Sequence, residues 1–386
     1  MTRLGVYVQV PFCQTKCTYC NFHTGVFSKE LYAPYVHAVC REIAEFPRLI
    51  RENGIADVPE AVLDTVYFGG GTPSLLEPGS LAKIIHAIRA AFPPQLEEVT
   101  LEADPETISP EKATAWREAG FNRISMGVQS FDDAELRAAG RMHRRVDVFQ
   151  ATKILRDAGF ANLSFDLIAG LPHQTDRSWQ ESVEQLLQLR PDHVSIYMME
   201  IDEGSRLGLE VLQSGERYSA KALPSDDSMA NYYEYGSRQL AAAGYEHYEI
   251  SNWGLPEFES RHNLKYWRRE PYFGFGAGAH SFNGSQRWAN AHDPASYADF
   301  VLQGHFPVEQ LESVTSAQAL EEELFLGLRQ LAGIDLGSVE AKYGARLRPR
   351  VQDLVAQGLV ELNGSRLRLS PDRLTVSNEV FVHLLE

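Results

Sequence analysis

The strongest constraint on the fold is a regular alternation of apolar strands with amphipathic helices over residues 6–199. Six runs have strand character, and a helical segment separates each from the next. The runs are 6–10, 62–68, 98–101, 122–128, 163–169 and 193–199. Strands that alternate with helices predict an α/β fold with a parallel sheet, and six units predict an open, partial barrel.

Two further regions follow this core. Residues 1–225 form the predicted core domain, and residues 226–307 form an extension that is rich in glycine and aromatic residues. Residues 308–386 read as helices followed by two short strands around Asn363-Gly364. Helices followed by such a hairpin predict a mostly helical, winged-helix-like C-terminal domain.

Charge and hydropathy limit the partners of the chain. Its 386 residues carry a formal charge of −16, and its C-terminal stretch is not basic, so we expect no nucleic-acid binding. No run reaches the roughly 18 apolar residues that a membrane span requires. The first strand begins within a few residues of Met1, which leaves no room for a cleavable leader. We therefore expect a cytoplasmic protein.

Three of the four cysteines lie directly after the first strand, in the pattern C-x3-C-x2-C formed by Cys13, Cys17 and Cys20. Three thiolates suit an iron–sulfur cubane in which one iron keeps open coordination sites for a substrate. A structural zinc held with His23, or a redox pair at Cys17 and Cys20, uses the same residue types. The spacing alone favours the cluster and leaves both alternatives open.

Polar and glycine-rich motifs stand at the ends of the later strands. Gly69-Gly70-Gly71-Thr72 lets the backbone approach a ligand closely, although a tight turn would use the same residues. Glu102, Gln129 and Asp166 would gather around one cavity, because parallel strands end at one edge of the sheet. They could bind ribose hydroxyls and an amino group, or be solvated loop ends. Arg141 could bind a carboxylate with two hydrogen bonds, or belong to a solvated basic run.

The cysteine motif, with Tyr19 before its last cysteine, resembles the signature of radical S-adenosylmethionine (SAM) proteins. The resemblance implies a radical SAM partial (β/α)6 barrel with a [4Fe–4S] cluster on Cys13, Cys17 and Cys20, whose fourth iron binds SAM. It also implies a set of SAM contacts on residues at the strand ends and beside the cysteines. These are Tyr7, Tyr19, Gly70, Gly71, Thr72, Glu102, Gln129, Arg141 and Asp166.

Three longer motifs narrow the resemblance to one subgroup. They begin with Gly69-Gly70-Gly71-Thr72-Pro73, Asn122-Arg123-Ile124 and Asp166-Leu167-Ile168, and they are similar to oxygen-independent coproporphyrinogen III oxidases and the related HemW haem chaperones. The oxidases have a further cysteine where this chain has Phe22, and an N-terminal extension before their motif. Both departures favour the chaperone family over an active oxidase, which remains the alternative together with other radical SAM enzymes.

A motif in the extension supports the chaperone family. His262-Asn263-x-x-Tyr266-Trp267 resembles the H-N-x-x-Y-W sequence associated with haem binding in that family. A neutral imidazole is a good axial ligand for haem iron, and the nearby basic residues suit the propionates. The resemblance therefore implies haem as a ligand at His262, haem-accepting proteins and an electron donor for the cluster as partners, and the formation of homodimers. If residues 262–266 are helical, we expect only one iron ligand from this motif.

Overall fold

The computed structural model describes residues 2–56, 58, 61–370, 373–374 and 377–385. The predicted alternation of six strands with helices is confirmed in the first half of the chain. The strands are β1 (Thr2–Val10), β2 (Ala61–Gly70), β3 (Pro94–Ala103), β4 (Arg123–Gln129), β5 (Asn162–Ala169) and β6 (His193–Met198). The helices are α1 (Tyr32–Glu52), α2 (Pro78–Ala91), α3 (Pro110–Ala119), α4 (Asp133–Ala138), α5 (Arg145–Asp157) and α6 (Asp176–Leu189).

These six strands pair in chain order, and every pair is parallel. Their apolar side chains are buried; Val8, Phe68, Leu101 and Ile124, for example, are inaccessible to solvent. A parallel sheet becomes buried in this way when helices cover its outer face. The open, partial α/β barrel predicted from the sequence is therefore confirmed.

The extension enlarges this sheet at both edges. From β6 to the C-terminal part the chain forms α7 (Arg206–Leu212), α8 (Asp226–Ala242), β7 (Glu246–Glu249), β8 (Asn252–Gly254), α9 (Arg261–Trp267), β9 (Tyr272–Phe275), β10 (His280–Phe282), β11 (Gln286–Asn290), α10 (Pro294–Leu302) and β12 (Val308–Ser313). Among the described residues, the large sheet has the order β12-β11-β10-β9-β1-β2-β3-β4-β5-β6-β8-β7. Residues 308–313, which the sequence placed in the C-terminal domain, thus pair with β11 as the last strand of the large sheet.

The C-terminal part has a core of its own. Its elements are α11 (Ser316–Gly327), β13 (Ile334–Asp335), α12 (Leu336–Tyr343), α13 (Arg348–Ala356), β14 (Val360–Asn363), β15 (Arg366–Leu369) and α14 (Ser377–Leu385). The order β13-β15-β14 gives a small antiparallel sheet beside the helices. The predicted helices and hairpin are confirmed, while β13 and α14 were not predicted. Short 3-10 helices elsewhere in the chain are Lys29–Leu31, Pro73–Leu75, Pro105–Thr107 and Arg217–Ala222.

A buried carboxylate joins the helical layer to the edge of the barrel. Glu42 of α1 accepts hydrogen bonds from Asn290 (2.7 Å), the Gly276 N–H (3.0 Å) and the Tyr297 hydroxyl (2.5 Å). Burial raises the pKa of Glu42 to about 7, even though these three donors oppose the shift. The network connects α1, β11 and α10 in the region next to β1.

Among the described residues, none of the helices combines the length and the apolar character that a membrane crossing needs.

Candidate functional site

A cavity of about 510 Å³ opens at the carboxyl ends of the barrel strands. It is large enough for a ligand of nucleotide size. Most of the predicted site residues line it, together with side chains that follow β6 and side chains of the C-terminal part. The predicted residues on its wall are Cys13, Cys17, Tyr19, Cys20, Gly70, Gly71, Thr72, Glu102, Gln129, Arg141 and Asp166.

The cysteine loop is fixed at several points by backbone hydrogen bonds. The Cys13 N–H donates to Gly25 (2.9 Å), and the Thr18 N–H donates to Ala139 (3.0 Å) after α4. All three thiols are free and partly exposed on the cavity wall. Burial raises the pKa of the Cys13 thiol to about 11, so its thiolate needs a neighbouring cation such as a cluster iron.

The donor set of this loop fits a cluster better than a single ion. Among the described residues, no three His, Cys, Asp or Glu side chains are placed to hold one metal ion together. Thiolates that each bind a different iron of a cubane do not need to converge on one point. The guanidinium Nη1 of Arg141 lies 3.5 Å from Cys17 Sγ and places a positive charge beside the thiolates.

The glycine loop after β2 is held against β1. The Gly71 N–H donates to Val10 (2.9 Å), and the Thr72 N–H donates to Phe12 (2.7 Å). Gly70 has φ = 104°, and a Cβ there would lie 2.3 Å from Gln9 Oε1. These N–H groups are engaged within the protein, and glycine is required at position 70 for the close approach to β1.

Glu102 on β3 and Asp166 on β5 both line the cavity, but their surroundings differ. Glu102 accepts hydrogen bonds from the Tyr67 hydroxyl (2.8 Å) and the Gly70 N–H (3.1 Å). Burial raises the pKa of Glu102 to about 7. The hydrogen bond from Tyr67 opposes this rise, and the nearby Asp166 adds to it. Burial also raises the pKa of Asp166, against the effect of Ser195 and Arg123. Glu102 can therefore hold a proton near neutral pH.

Gln129 has a left-handed backbone at the end of β4, with φ = 63°. This conformation is uncommon for a residue with a side chain, and it coincides with a shift in the β4–β5 register. Among the described residues its side-chain amide has no hydrogen-bond partner. The strained position thus presents a free amide to the cavity.

Arg141 lies in the segment between α4 and α5, on the cavity wall. Its Nη2 forms an ion pair with Asp104 and donates to the Gly127 carbonyl (2.9 Å). Asp104 also accepts a hydrogen bond from the Thr72 hydroxyl (3.0 Å). The Nε atom of Arg141 is buried and has no partner among the described residues. Asp104 thus orients a guanidinium that keeps one N–H for a ligand.

The two predicted tyrosines are placed differently. Tyr19 lies on the cavity wall, between the cysteines, as the motif requires. Tyr7 does not line the cavity; its hydroxyl donates to Gln9 (2.7 Å), and its ring stacks on Tyr67 at 6.2 Å. In this conformation Tyr7 supports the glycine loop through Gln9.

His262 does not reach the cavity either. It lies on α9, inside the barrel, with 1 % of its surface exposed. Its Nδ1 is 2.9 Å from the Thr65 hydroxyl and its Nε2 is 2.9 Å from the Tyr266 hydroxyl. Burial, with Lys265 and Arg123 nearby, lowers the pKa of His262 to about 3. The helical geometry is confirmed, but neither ring nitrogen is available to iron in this conformation.

Three of the four basic residues around His262 are paired with acids. Lys265 is buried and forms ion pairs with Asp64 (2.7 Å) and Glu270 (3.3 Å). Arg261 pairs with Glu97, and Arg269 pairs with Glu322. Carboxylates thus neutralise most of the basic patch predicted from the sequence, while Arg268 donates to the side chain of Gln330 (3.3 Å).

Three cavity residues escaped the sequence analysis. Asp104 and Tyr197 follow the rule that identified Glu102, since each lies near the carboxyl end of a barrel strand. Arg329 comes from the C-terminal part. Its guanidinium lies over the ring of Trp267 on α9, 4.5 Å from the ring centroid. No local pattern marks Arg329, because only tertiary packing brings it to the cavity.

Comparison with known proteins places this chain in a family. A model of the Radical SAM superfamily matches residues 7–186, and a model of the HemN C-terminal domain matches residues 314–372. A heme chaperone HemW from Bacillus subtilis is 36 % identical over 98 % of this chain and 98 % of its own length. Another from Lactococcus lactis is 33 % identical over 99 % of this chain and 97 % of its own. The chain belongs to the HemW family.

Membership of the HemW family agrees with the fold. The solved structure of coproporphyrinogen III oxidase (HemN) from Escherichia coli, a radical SAM enzyme, superposes with a TM-score of 0.81. It covers 99 % of this chain and 90 % of the other at 21 % identity, a likeness that shows the fold alone. The radical SAM domain of a HemW protein implies a [4Fe–4S] cluster and SAM. The free thiols and the unpartnered N–H of Arg141 on the cavity wall fit these groups.

Proposed function

We propose that this protein is a haem chaperone that carries a [4Fe–4S] cluster, binds SAM, and transfers haem to acceptor proteins. The observation that carries the proposal is the likeness to HemW proteins over almost the whole chain. One cavity that joins the three cysteines to the strand-end polar residues supports it. The proposal also requires an electron donor for the cluster and a protein that accepts haem.

In this proposal Cys13, Cys17 and Cys20 hold the cluster. When bound, the cluster and SAM supply one-electron chemistry. The residues of this chain bind and orient SAM. Arg141, held by Asp104, offers its Nε–H to the carboxylate of SAM, and Gln129 offers its free amide as a further hydrogen-bonding group. Asp166, on the neighbouring strand β5, lines the same cavity, where its carboxyl group can accept hydrogen bonds from ribose hydroxyls or an amino group.

Phe22 supports the chaperone over the oxidase. It lines the cavity beside the cysteines, and 65 % of its surface is exposed. Where the oxidases have a further cysteine, this chain thus presents an exposed apolar side chain at the cavity.

Haem titration of the anaerobically reconstituted protein, with and without SAM, tests the proposal. We expect a saturable change in the haem absorption spectrum and haem transfer to an apo-haem protein. A parallel anaerobic assay supplies coproporphyrinogen III, SAM and a reductant. Formation of protoporphyrinogen IX would contradict the proposal and establish an oxidase. Absence of saturable haem binding would also contradict it.

A further inference from the structure

A cluster of three surface histidines lies beside the cysteine loop, and the functions described so far do not use it. We propose that haem binds on this rim of the cavity and that His23, not His262, is the axial ligand of its iron. This inference rests on the haem-binding function proposed above. It assigns that function to a different part of the surface.

The imidazole of His23 lies near those of His280 and His292, which come much later in the chain. His23 is exposed and lies between Phe22 and Thr24, both of which line the cavity. The ring of His292 lies 4.3 Å from the ring of His23, centroid to centroid, at an angle of 41°. His280 lies near both rings. Burial is the main cause that lowers the pKa of His280, and the neighbouring His292, Arg287 and His23 lower it further.

These imidazoles are not committed to other contacts. Among the described residues, none of the three side chains has a hydrogen bond, and the buried Nδ1 of His292 has no partner at all. His262 differs, because Thr65 and Tyr266 occupy its two nitrogens. An iron ligand needs a free nitrogen lone pair, so the surface cluster meets a requirement that His262 does not meet.

The surroundings of His23 also suit the rest of the haem. Haem is a flat apolar ring with two carboxylates at one edge, and its faces need apolar cover. Phe22 and Val26 flank His23 in the chain, and 65 % and 64 % of their surfaces are exposed. The ammonium group of Lys16 lies 3.4 Å from the Phe22 carbonyl, and Lys16 has no carboxylate partner among the described residues. It can pair with a propionate.

The arrangement suits haem better than a bare metal ion. In the described part of the chain, no three such side chains share a point where they could hold one ion. Haem iron already has four ring nitrogens and needs only one imidazole from the protein. Burial and the neighbouring His292 and Lys16 lower the pKa of His23, which favours the neutral imidazole that binds iron. The ring of His292, tilted against that of His23, restricts the orientation of His23.

Haem titration of single variants tests the assignment. We expect His23→Ala to weaken haem binding about tenfold or more and to change the position of the main haem absorption band. His262→Ala should keep the wild-type band in the folded protein, and so should His37→Ala, an exposed control on α1. Equal binding by wild type and His23→Ala, with loss in His262→Ala, would overturn the inference and leave the haem-chaperone proposal standing. No binding by the wild type would instead overturn the proposed function.

Two further measurements guard against indirect damage to the cysteine loop. Iron and sulfide content of His23→Ala reports whether the cluster is intact. The variant His23→Gly should regain the wild-type haem spectrum when free imidazole is added, since the added ligand can fill the space of the missing side chain. Failure of imidazole to restore the spectrum in folded, cluster-containing His23→Gly would contradict axial ligation by His23.

Discussion

The Nδ1 atom of His262 lies 2.9 Å from the hydroxyl of Thr65, on the strand that ends in the glycine loop. The same ring stacks on Tyr67 at 5.3 Å, and Tyr67 donates to Glu102 at the cavity. His262 is thus connected to the site through the interior of the barrel, as a support for the strand ends.

This position predicts that His262→Ala lowers stability. The substitution leaves the buried Thr65 and Tyr266 hydroxyls without a partner and opens a cavity, so we expect a loss of about 3 kcal/mol. Thermal unfolding of the purified protein measures it. His37→Ala, at an exposed position of α1, should change stability by less than about 0.5 kcal/mol. Equal stability of His262→Ala and wild type would contradict the structural role.

Cys17→Ala should abolish the cluster. One iron loses its thiolate, and a cubane held by the two remaining cysteines is not retained. Iron and sulfide content and visible absorption after anaerobic reconstitution measure the outcome. Cys40→Ala is the matched control, because Cys40 lies on α1 outside the cavity lining and should leave cluster content unchanged. A full cluster in Cys17→Ala would remove this residue from the ligand set.

Arg141→Ala should weaken SAM binding about tenfold or more, as expected for the loss of a charge-assisted hydrogen bond worth about 1.5–3 kcal/mol. Arg141→Lys keeps the charge but loses the fixed geometry of the guanidinium, so its affinity for SAM should fall between those of wild type and Arg141→Ala. Arg144→Ala, in the same basic run but exposed, should bind like wild type. Equilibrium dialysis of SAM against reconstituted protein decides, and unchanged affinity in Arg141→Ala would rule out a SAM contact.

Gly70→Ala should destabilise the barrel by an amount on the order of 1–3 kcal/mol. Its φ of 104° is strained for any residue with a Cβ, and the new methyl group would collide with Gln9. Gly79→Ala is the matched control, because a Cβ at that helical position meets no atom within 4 Å and should be neutral or slightly stabilising. The double variant with Gln9→Ala should recover only part of the loss, since the backbone strain remains. Urea unfolding measures both; full recovery in the double variant would show that the collision alone matters.

Glu42 predicts a dependence of stability on pH. Its pKa rises from 4.5 to about 7 on folding, mainly by burial, so the folded state binds a proton that the unfolded state has released. Stability from this group is therefore present below about pH 4.5 and is lost as pH rises towards 7; the shift corresponds to roughly 3 kcal/mol. Glu42→Gln should flatten this slope in thermal unfolding measured from pH 4.5 to 7.

Glu45 on the same helix provides the opposite case. Hydrogen bonds from Arg41 and Arg48 lower its pKa, so Glu45→Gln should not flatten the fall in stability between pH 4.5 and 7. Identical pH profiles for wild type and Glu42→Gln would show that the carboxyl group of Glu42 does not titrate on folding.

The sequence by itself determined the parallel core, because apolar runs of strand length alternate with amphipathic helices and each type of run can bury its apolar side only against the other. It also brought Cys17, Gln129 and Asp166 to one edge, because the ends of parallel strands coincide. Only the tertiary structure decided how these groups are used. Gly70 and Gly71 give their N–H groups to neighbours, and His262 bonds to Thr65, since distant segments supply partners that no local pattern shows. The same physical reason explains why His23 forms one surface cluster with His280 and His292, which lie far from it in the chain.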